Sequence, residues 1–117
     1  MTPEQFVVEL KQVVRDGVEG EIEYYLNPPV TNPPGHLGVF SRWYQGLSDE
    51  DKEVARIALE YAAEGSLFSL LNILDNVQSL PSMKGHLESY YVEDNTKLRL
   101  NDPEGDFLYD IFNNIST

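Results

Sequence analysis

The sequence predicts an α+β fold that is mostly α-helical, with a bundle-like helical core and a two-stranded antiparallel β-hairpin before the C-terminal helix. Apolar residues recur at three- and four-residue spacing over most of the chain, which is typical of amphipathic helices. Between residues 86 and 101 the spacing changes to alternation, which is typical of strands. All 117 residues are expected to form a single domain, because this length is close to the commonest domain size.

The first helix is predicted over residues 1–26. Its start is a capping box led by Thr2, with a proline at the first helical position, where its missing N–H costs nothing. Apolar spacing continues to the end of the segment, but Gly17 and Gly20 each weaken a helix by about 1 kcal/mol relative to alanine. The pattern therefore leaves open one long helix or two helices with a break between them.

Residues 27–38 contain two Pro-Pro pairs and are predicted to form a loop of extended backbone. The loop is either a rigid docking segment or a spacer, and we favour the spacer. A short helix is predicted over residues 39–45, where Trp43 and Tyr44 either close a core or anchor a partner, the core being favoured.

The helical region is predicted to extend over residues 39–80. Ser48 and the acids after it mark the start of a long helix, which Gly65 either kinks or divides in two. Residues 67–77 are apolar almost all round, so we expect a helix buried at the centre of the domain. Five residues are predicted to form the inward face of the long helix: Val54, Ile57, Ala58, Tyr61 and Ala62.

The hairpin is predicted over residues 86–101, with its turn at Asp94 and Asn95. That turn makes the pairs Val92 with Lys97, Tyr91 with Leu98 and Ser89 with Leu100. An Asp-Pro step at residue 102 then resembles the N-terminal cap, so the last helix is predicted over residues 103–115.

The composition argues against several classes of function. Twenty acidic residues against eight basic ones give a net charge of −12, which disfavours nucleic acids and anionic membranes as partners. The chain has no cysteine, so a thiolate metal site or a cysteine nucleophile is excluded. Only His36 and His86 are present, and neither follows a glutamate at metal-binding spacing. We expect a cytoplasmic protein with no metal, no cofactor and no enzymatic activity.

The charge is the most informative functional feature. Acidic residues concentrate around residues 16–23, 49–53 and 102–110, and a charge of −12 exceeds the range of about 2–8 that suffices for solubility of a small domain. The excess of acids either keeps the chain soluble or serves to bind a basic partner, and the charge alone does not decide between the two. The leading functional hypothesis is an acidic surface that binds a basic protein partner. The residues predicted to contact this partner are Glu19, Glu21, Glu23, Asp49, Glu50 and Glu53.

Three stretches of the chain, residues 43–51, residues 67–75 and residues 98–102 followed by 107–112, together resemble a group of small, acidic, uncharacterised bacterial domains. Some small acidic proteins that look similar are immunity proteins for secreted toxins. The resemblance implies a bacterial source and a non-catalytic, protein-binding module of the immunity or antitoxin kind. It carries no catalytic signature. The residues that the three stretches share with these domains are mainly ones that form the fold, so the resemblance assigns no functional role to any single residue.

Two other functions stay open in the sequence. One is a small ligand-binding or enzymatic domain with a pocket near residues 27–37, in which His36 and Tyr44 would be the polar participants. The other is an acidic DNA mimic, which predicts acids in two regular rows.

Asp75 follows an apolar run and is either an ionisable group of shifted pKa or a helix-end residue that bonds nearby backbone, the latter being favoured. The oligomeric state is open, a homodimer included.

Overall fold

The computed structural model describes residues 1–115 and has, in that range, four helices and one two-stranded antiparallel sheet that precedes the last helix. This confirms the predicted fold class. The elements are α1 (Pro3–Leu26), α2 (Gly35–Gln45), α3 (Asp49–Leu74), β1 (Tyr90–Glu93), β2 (Thr96–Arg99) and α4 (Leu108–Asn114).

The chain divides into two compact units. The central unit comprises residues 14–63, and the terminal unit comprises Met1–Val13 together with residues 64–115. In the central unit the core is formed by Val18, Ile22, Tyr44 and Ala55, against which Leu59 and other partly buried residues pack. In the terminal unit the most deeply buried side chains are Val7, Leu71 and Leu108.

Two of the three predicted capping signals, those at Thr2 and Ser48, begin helices. The Gln5 N–H donates to Thr2 Oγ1 at 3.1 Å, and the Thr2 N–H donates to Gln5 Oε1 at 2.9 Å, so the first helix has a complete capping box. At the start of α3 the Asp51 N–H donates to Ser48 Oγ at 3.1 Å. Both helices continue through their glycines without a break, which decides between the alternatives that the pattern left open.

Helix α2 begins at Gly35, four residues before the predicted start, so the predicted loop over residues 27–38 is too long. Gly38, in the first turn of α2, closely approaches Pro33 of the loop. A Cβ atom on Gly38 would lie 1.9 Å from the Pro33 carbonyl oxygen, so only glycine fits where the loop meets the helix. Pro34, in extended conformation, precedes the first helical residue.

Helix α3 ends at Leu74, before the predicted end of the helical region at residue 80. Asn76 adopts a left-handed conformation with φ of 63°. The Val77 N–H donates to the Asn72 carbonyl at 2.9 Å and the Asn76 N–H to the Ile73 carbonyl at 3.0 Å. These are the two hydrogen bonds of a Schellman motif, so Asn76 ends the helix in place of the more usual glycine.

The apolar run over residues 67–77 is buried on one face only, which corrects the expectation of a fully buried helix. Leu67 and Leu71 are buried, whereas Leu70 and Val77 are about half exposed. The reason is that the helix packs along one side, and an apolar composition alone does not tell which positions will meet a neighbour.

Helix α4 begins at Leu108, five residues after the predicted start. Asp102 forms a turn instead of a helix cap, because its side chain accepts the Glu104 N–H at 2.9 Å and its carbonyl accepts the Gly105 N–H at 3.1 Å. The cap of α4 comes from elsewhere in the chain. Asp75 Oδ2 accepts the Tyr109 N–H at 2.9 Å.

Asp75 is thus bonded to backbone 34 residues away, and the prediction that it bonds its own turn is wrong. Its side chain is buried, and burial raises the pKa of the carboxyl above its ordinary value. The backbone N–H groups of Tyr109 and Leu108 oppose this rise in pKa, while the charge of Asp110 adds to it. Asp75 is therefore a buried carboxyl that positions the start of α4.

The hairpin has the predicted register. The facing pairs of the ladder include Tyr91 with Leu98 and Val92 with Lys97. The Leu100 N–H also donates to the Ser89 carbonyl at 2.8 Å, and Asp94 supplies the positive φ of 52° that the turn requires.

Asn101 joins three segments of the terminal unit and was not singled out by the sequence. Its buried amide donates to the carbonyls of Leu74 and Leu87. Its side-chain oxygen accepts the Ser89 N–H at 2.8 Å and Arg99 Nε at 3.1 Å. The end of α3 is thereby connected to the segment that precedes β1 and to the last residue of β2.

Candidate functional site

Two of the six predicted acids converge on one basic residue of the central unit. Arg56 Nη1 lies 3.2 Å from Glu19 Oε1 and 2.7 Å from Glu60 Oε1, and Arg56 Nη2 pairs with Glu53. The hydrogen bond from Arg56 is the main cause of the lowered pKa of Glu53. The same pair, with Glu60 and Glu19 adding to it, holds the pKa of Arg56 above its ordinary value. Glu19 and Glu53 are therefore partly neutralised by a neighbour within the chain.

The other four predicted acids lie apart from that cluster. Asp49 and Glu50 are exposed in the first turn of α3, where their charge complements the helix dipole. Glu23 accepts a hydrogen bond from the Asn27 amide at 2.8 Å. Glu21 interacts with the Tyr25 hydroxyl. The six acids thus form several small groups of the central unit.

The most prominent surface feature of the central unit is apolar, and the sequence pattern predicts these residues to be part of the core. Val54, Ile57 and Tyr61 of α3 are 60%, 43% and 77% exposed, and Ala58 beside them is exposed as well. We refer to these four residues as the α3 stripe. Their spacing of three and four residues places them on one face of the helix.

The prediction that this face of α3 packs inward is wrong. The face that packs inward contains Ala55, Leu59 and Ala63, which adjoin Val18 and Ile22 of α1. Ala55 and Ala63 allow α3 to approach α1 closely, whereas Val54, Ile57 and Tyr61 remain exposed. In the sequence, α3 has apolar residues on two faces. This pattern was the one indication that a face other than the stripe packs inward.

Helix α2 also exposes large residues. Trp43 is 54% exposed and Phe40 is 47% exposed, whereas Tyr44 is buried in the core of the central unit. The expectation that Trp43 and Tyr44 both close a core is therefore correct only for Tyr44. The Tyr25 ring contacts Phe40 and Tyr44, with ring centroids 6.1 and 6.3 Å apart.

An open groove of about 370 Å³ lies along α1 and α3 within the central unit. Its α1 side is formed by Val14, Gly17, Val18, Glu21 and Tyr25, and its α3 side by Leu59 and Ala63. The groove is apolar at the Val14 end and polar at the other, where Glu21 meets the Tyr25 hydroxyl. Burial, and then the charge and hydrogen bond of Glu21, raise the pKa of Tyr25.

A second concavity, of about 380 Å³, lies beside the proline-rich loop, where a pocket was predicted. Neither of the expected polar participants lines it, because Tyr44 is buried and His36 packs against Phe40 instead. Its polar side chains include Ser41 and Gln45. These two already donate hydrogen bonds to the Tyr25 carbonyl, at 2.7 and 3.0 Å.

Residues 1–115 contain no group of three or more His, Asp or Glu side chains that could hold a metal ion. In the same range α3 alone is long and apolar enough to cross a membrane, judged by length and composition. That criterion is weak, because many helices of soluble proteins satisfy it. Only 11% of the most apolar window of α3 is buried, so much of its apolar surface faces outward.

No protein-family model, curated protein or solved structure matches the chain. The functional assignment therefore depends on the surfaces of the central unit described above.

Proposed function

We propose that this chain is a non-catalytic protein-binding module, of the bacterial immunity or antitoxin kind, that binds a basic partner protein in the cytoplasm. The observation that carries the proposal is the exposed α3 stripe. Val54, Ile57 and Tyr61 form an apolar helix face outside the core. Large exposed apolar patches on soluble domains mark sites of interaction with other molecules. The likeness of three sequence stretches to small acidic bacterial domains supports the bacterial source.

The charge around the stripe supports a basic partner in preference to a membrane or a second copy. Glu50 lies one helical turn before Val54, and Glu53 lies one turn before Ile57. The central unit as a whole has nine acidic residues against four basic ones. Anionic lipid and another acidic copy would both be repelled. A partner with basic residues around an apolar centre would be complementary to this surface.

The two kinds of residue have different roles in the proposed interface. The α3 stripe supplies apolar area that is desolvated on binding, which contributes about 25 cal/mol per Å² before the costs of association. The acids Asp49 and Glu50 at its beginning steer a basic partner toward it and raise the association rate, while the charge of Glu53 is partly neutralised by Arg56. Blocking of the partner then follows from occupancy of its surface, with no chemical step.

The experiment compares two valine substitutions of matched exposure. Val54→Ser alters the α3 stripe, and Val92→Ser alters an equally exposed valine of the hairpin, the exposed fractions being 60% and 63%. A partner is first captured from the source bacterium with the wild-type chain and identified by mass spectrometry. Its affinity for each purified variant is then measured by calorimetry at low and high salt.

We expect Val54→Ser to weaken binding about tenfold, corresponding to about 1.4 kcal/mol, while Val92→Ser leaves it unchanged. Addition of Tyr61→Ser to Val54→Ser should weaken binding further. Affinity should also fall as salt rises. Equal affinities of the two variants, or an acidic partner, would contradict the proposal. Binding of the chain to anionic vesicles that is lost with Tyr61→Ser would favour a membrane instead.

The two alternative functions receive less support. For a ligand-binding or enzymatic domain, the concavity beside the loop is the favourable observation, but Ser41 and Gln45 there already bond the Tyr25 carbonyl. For a DNA mimic, regular rows of acids are required, whereas Glu19, Glu53 and Glu60 converge on Arg56.

A further inference from the structure

We propose that the groove of the central unit receives an arginine side chain of the basic partner, with the aliphatic stem along its apolar end and the guanidinium at Glu21. This inference rests on the proposed function, because it names one contact that such a partner would make. It concerns a surface other than the α3 stripe, so the two can be tested separately.

The shape and length of the groove fit such a side chain. Gly17 and Glu21 are four residues apart on one face of α1, which corresponds to about 6 Å along the helix axis. An arginine side chain has a flexible apolar stem of comparable length and buries it readily along apolar surface. The space in front of Gly17 is open, since a Cβ atom there would meet nothing within 4 Å.

The chemistry at the polar end selects a cation. Glu21 is an exposed carboxylate beside the Tyr25 hydroxyl, and it belongs to a unit with an excess of acids. Guanidinium presents a planar set of donors that matches a carboxylate and is more weakly hydrated than ammonium. A neutral apolar ligand would make no use of the charge of Glu21, and an anion would be repelled by it.

Gly17 provides a substitution that fills the groove without harming the fold. Gly17→Leu puts a side chain into the open space and replaces a poor helix former by a good one. Gly20→Leu is the matched control, because Gly20 lies in the same helix, also has nothing within 4 Å of its Cβ position, and does not line the groove. Circular dichroism and thermal melting check that both variants fold.

The probe is Nα-acetyl-arginine methylamide, titrated against the full ¹⁵N-labelled chain and followed by amide chemical shifts. The neutral citrulline analogue is the matched control for charge. We expect saturable shifts at Gly17, Val18 and Leu59 with the arginine probe and not with the citrulline analogue. Glu21→Gln should weaken binding about tenfold, as expected for one charge-assisted contact.

Gly17→Leu should abolish the shifts in the groove, and Gly20→Leu should retain them. Unchanged binding in Gly17→Leu, equal binding of the citrulline analogue, or shifts located outside the groove would each overturn the inference. Tyr61→Ser should leave binding of the probe unchanged. If the probe fails while the Val54 and Val92 variants differ as expected in partner affinity, the groove assignment is wrong and the proposed function stands.

Discussion

Replacement of Gly38 by alanine should destabilise the central unit, although helix propensity alone predicts the opposite. Gly→Ala in a helix interior is favourable by about 1 kcal/mol. At Gly38, however, the new Cβ would lie 1.9 Å from the Pro33 carbonyl oxygen and must move at least 1.1 Å to reach the shortest contact that real Cβ atoms make. Overpacking of this kind costs about 1–3 kcal/mol, and the neighbour is backbone that cannot rotate away.

The assay is chemical denaturation followed by the fluorescence of Trp43, the sole tryptophan of the chain, which lies in α2. Gly20→Ala is the matched control, because it is the same substitution in a helix of the same unit and its Cβ would have nothing within 4 Å. We expect Gly38→Ala to lower the free energy of unfolding by about 1–2 kcal/mol. Gly20→Ala should raise it by about 0.5–1 kcal/mol.

The two variants should therefore differ in sign. If Gly38→Ala stabilises the protein as much as Gly20→Ala does, the close approach of the loop to α2 is not present in solution. A loss of equal size in both variants would refute the argument in another way, because it would mean that α1 does not tolerate alanine at an open position.

Other predictions concern both units. Leu71→Ala should lower the free energy of unfolding by about 3–5 kcal/mol, because Leu71 is fully buried. Tyr61→Ser should change it by no more than about 0.5 kcal/mol. Equal losses of the two variants in denaturant titrations would contradict this prediction. Asp75→Ala should lower stability by about 1–2 kcal/mol through loss of the cap on Tyr109. Because burial raises the folded-state pKa of Asp75, its protonated form stabilises the fold at low pH and this contribution is lost as pH rises above about 4. The unfolding free energy of wild type relative to Asp75→Asn should therefore fall between acidic and neutral pH, and a pH-independent difference would count against the burial argument. Arg56→Gln should destabilise the protein slightly, less at high salt than at low salt; a loss insensitive to salt would show that Arg56 acts through packing.

Local signals in the sequence were sufficient for the order and type of the elements. The capping signals at Thr2 and Ser48 mark the true starts of α1 and α3, because a side-chain cap acts within three residues of itself. The register of the hairpin follows from its turn for the same reason. The sequence also identified the acidic residues. It did not show which of them are partly neutralised by a basic residue.

The tertiary structure decided every feature that depends on residues far apart in the chain. Asp75 caps a helix 34 residues away, and the Asn101 amide donates to the Leu74 carbonyl 27 residues away. The packing of Ala55 and Leu59 against α1 leaves the α3 stripe outside.

The sequence by itself thus determined a mostly helical α+β fold, the start of each long helix and a strong negative charge. Only the tertiary structure decided which apolar face of α3 is buried and that a groove ends at Glu21. Periodicity identifies the apolar faces of a helix. Which of two apolar faces is buried depends on how a neighbouring helix packs against it, and the sequence of a single helix carries no information about that neighbour.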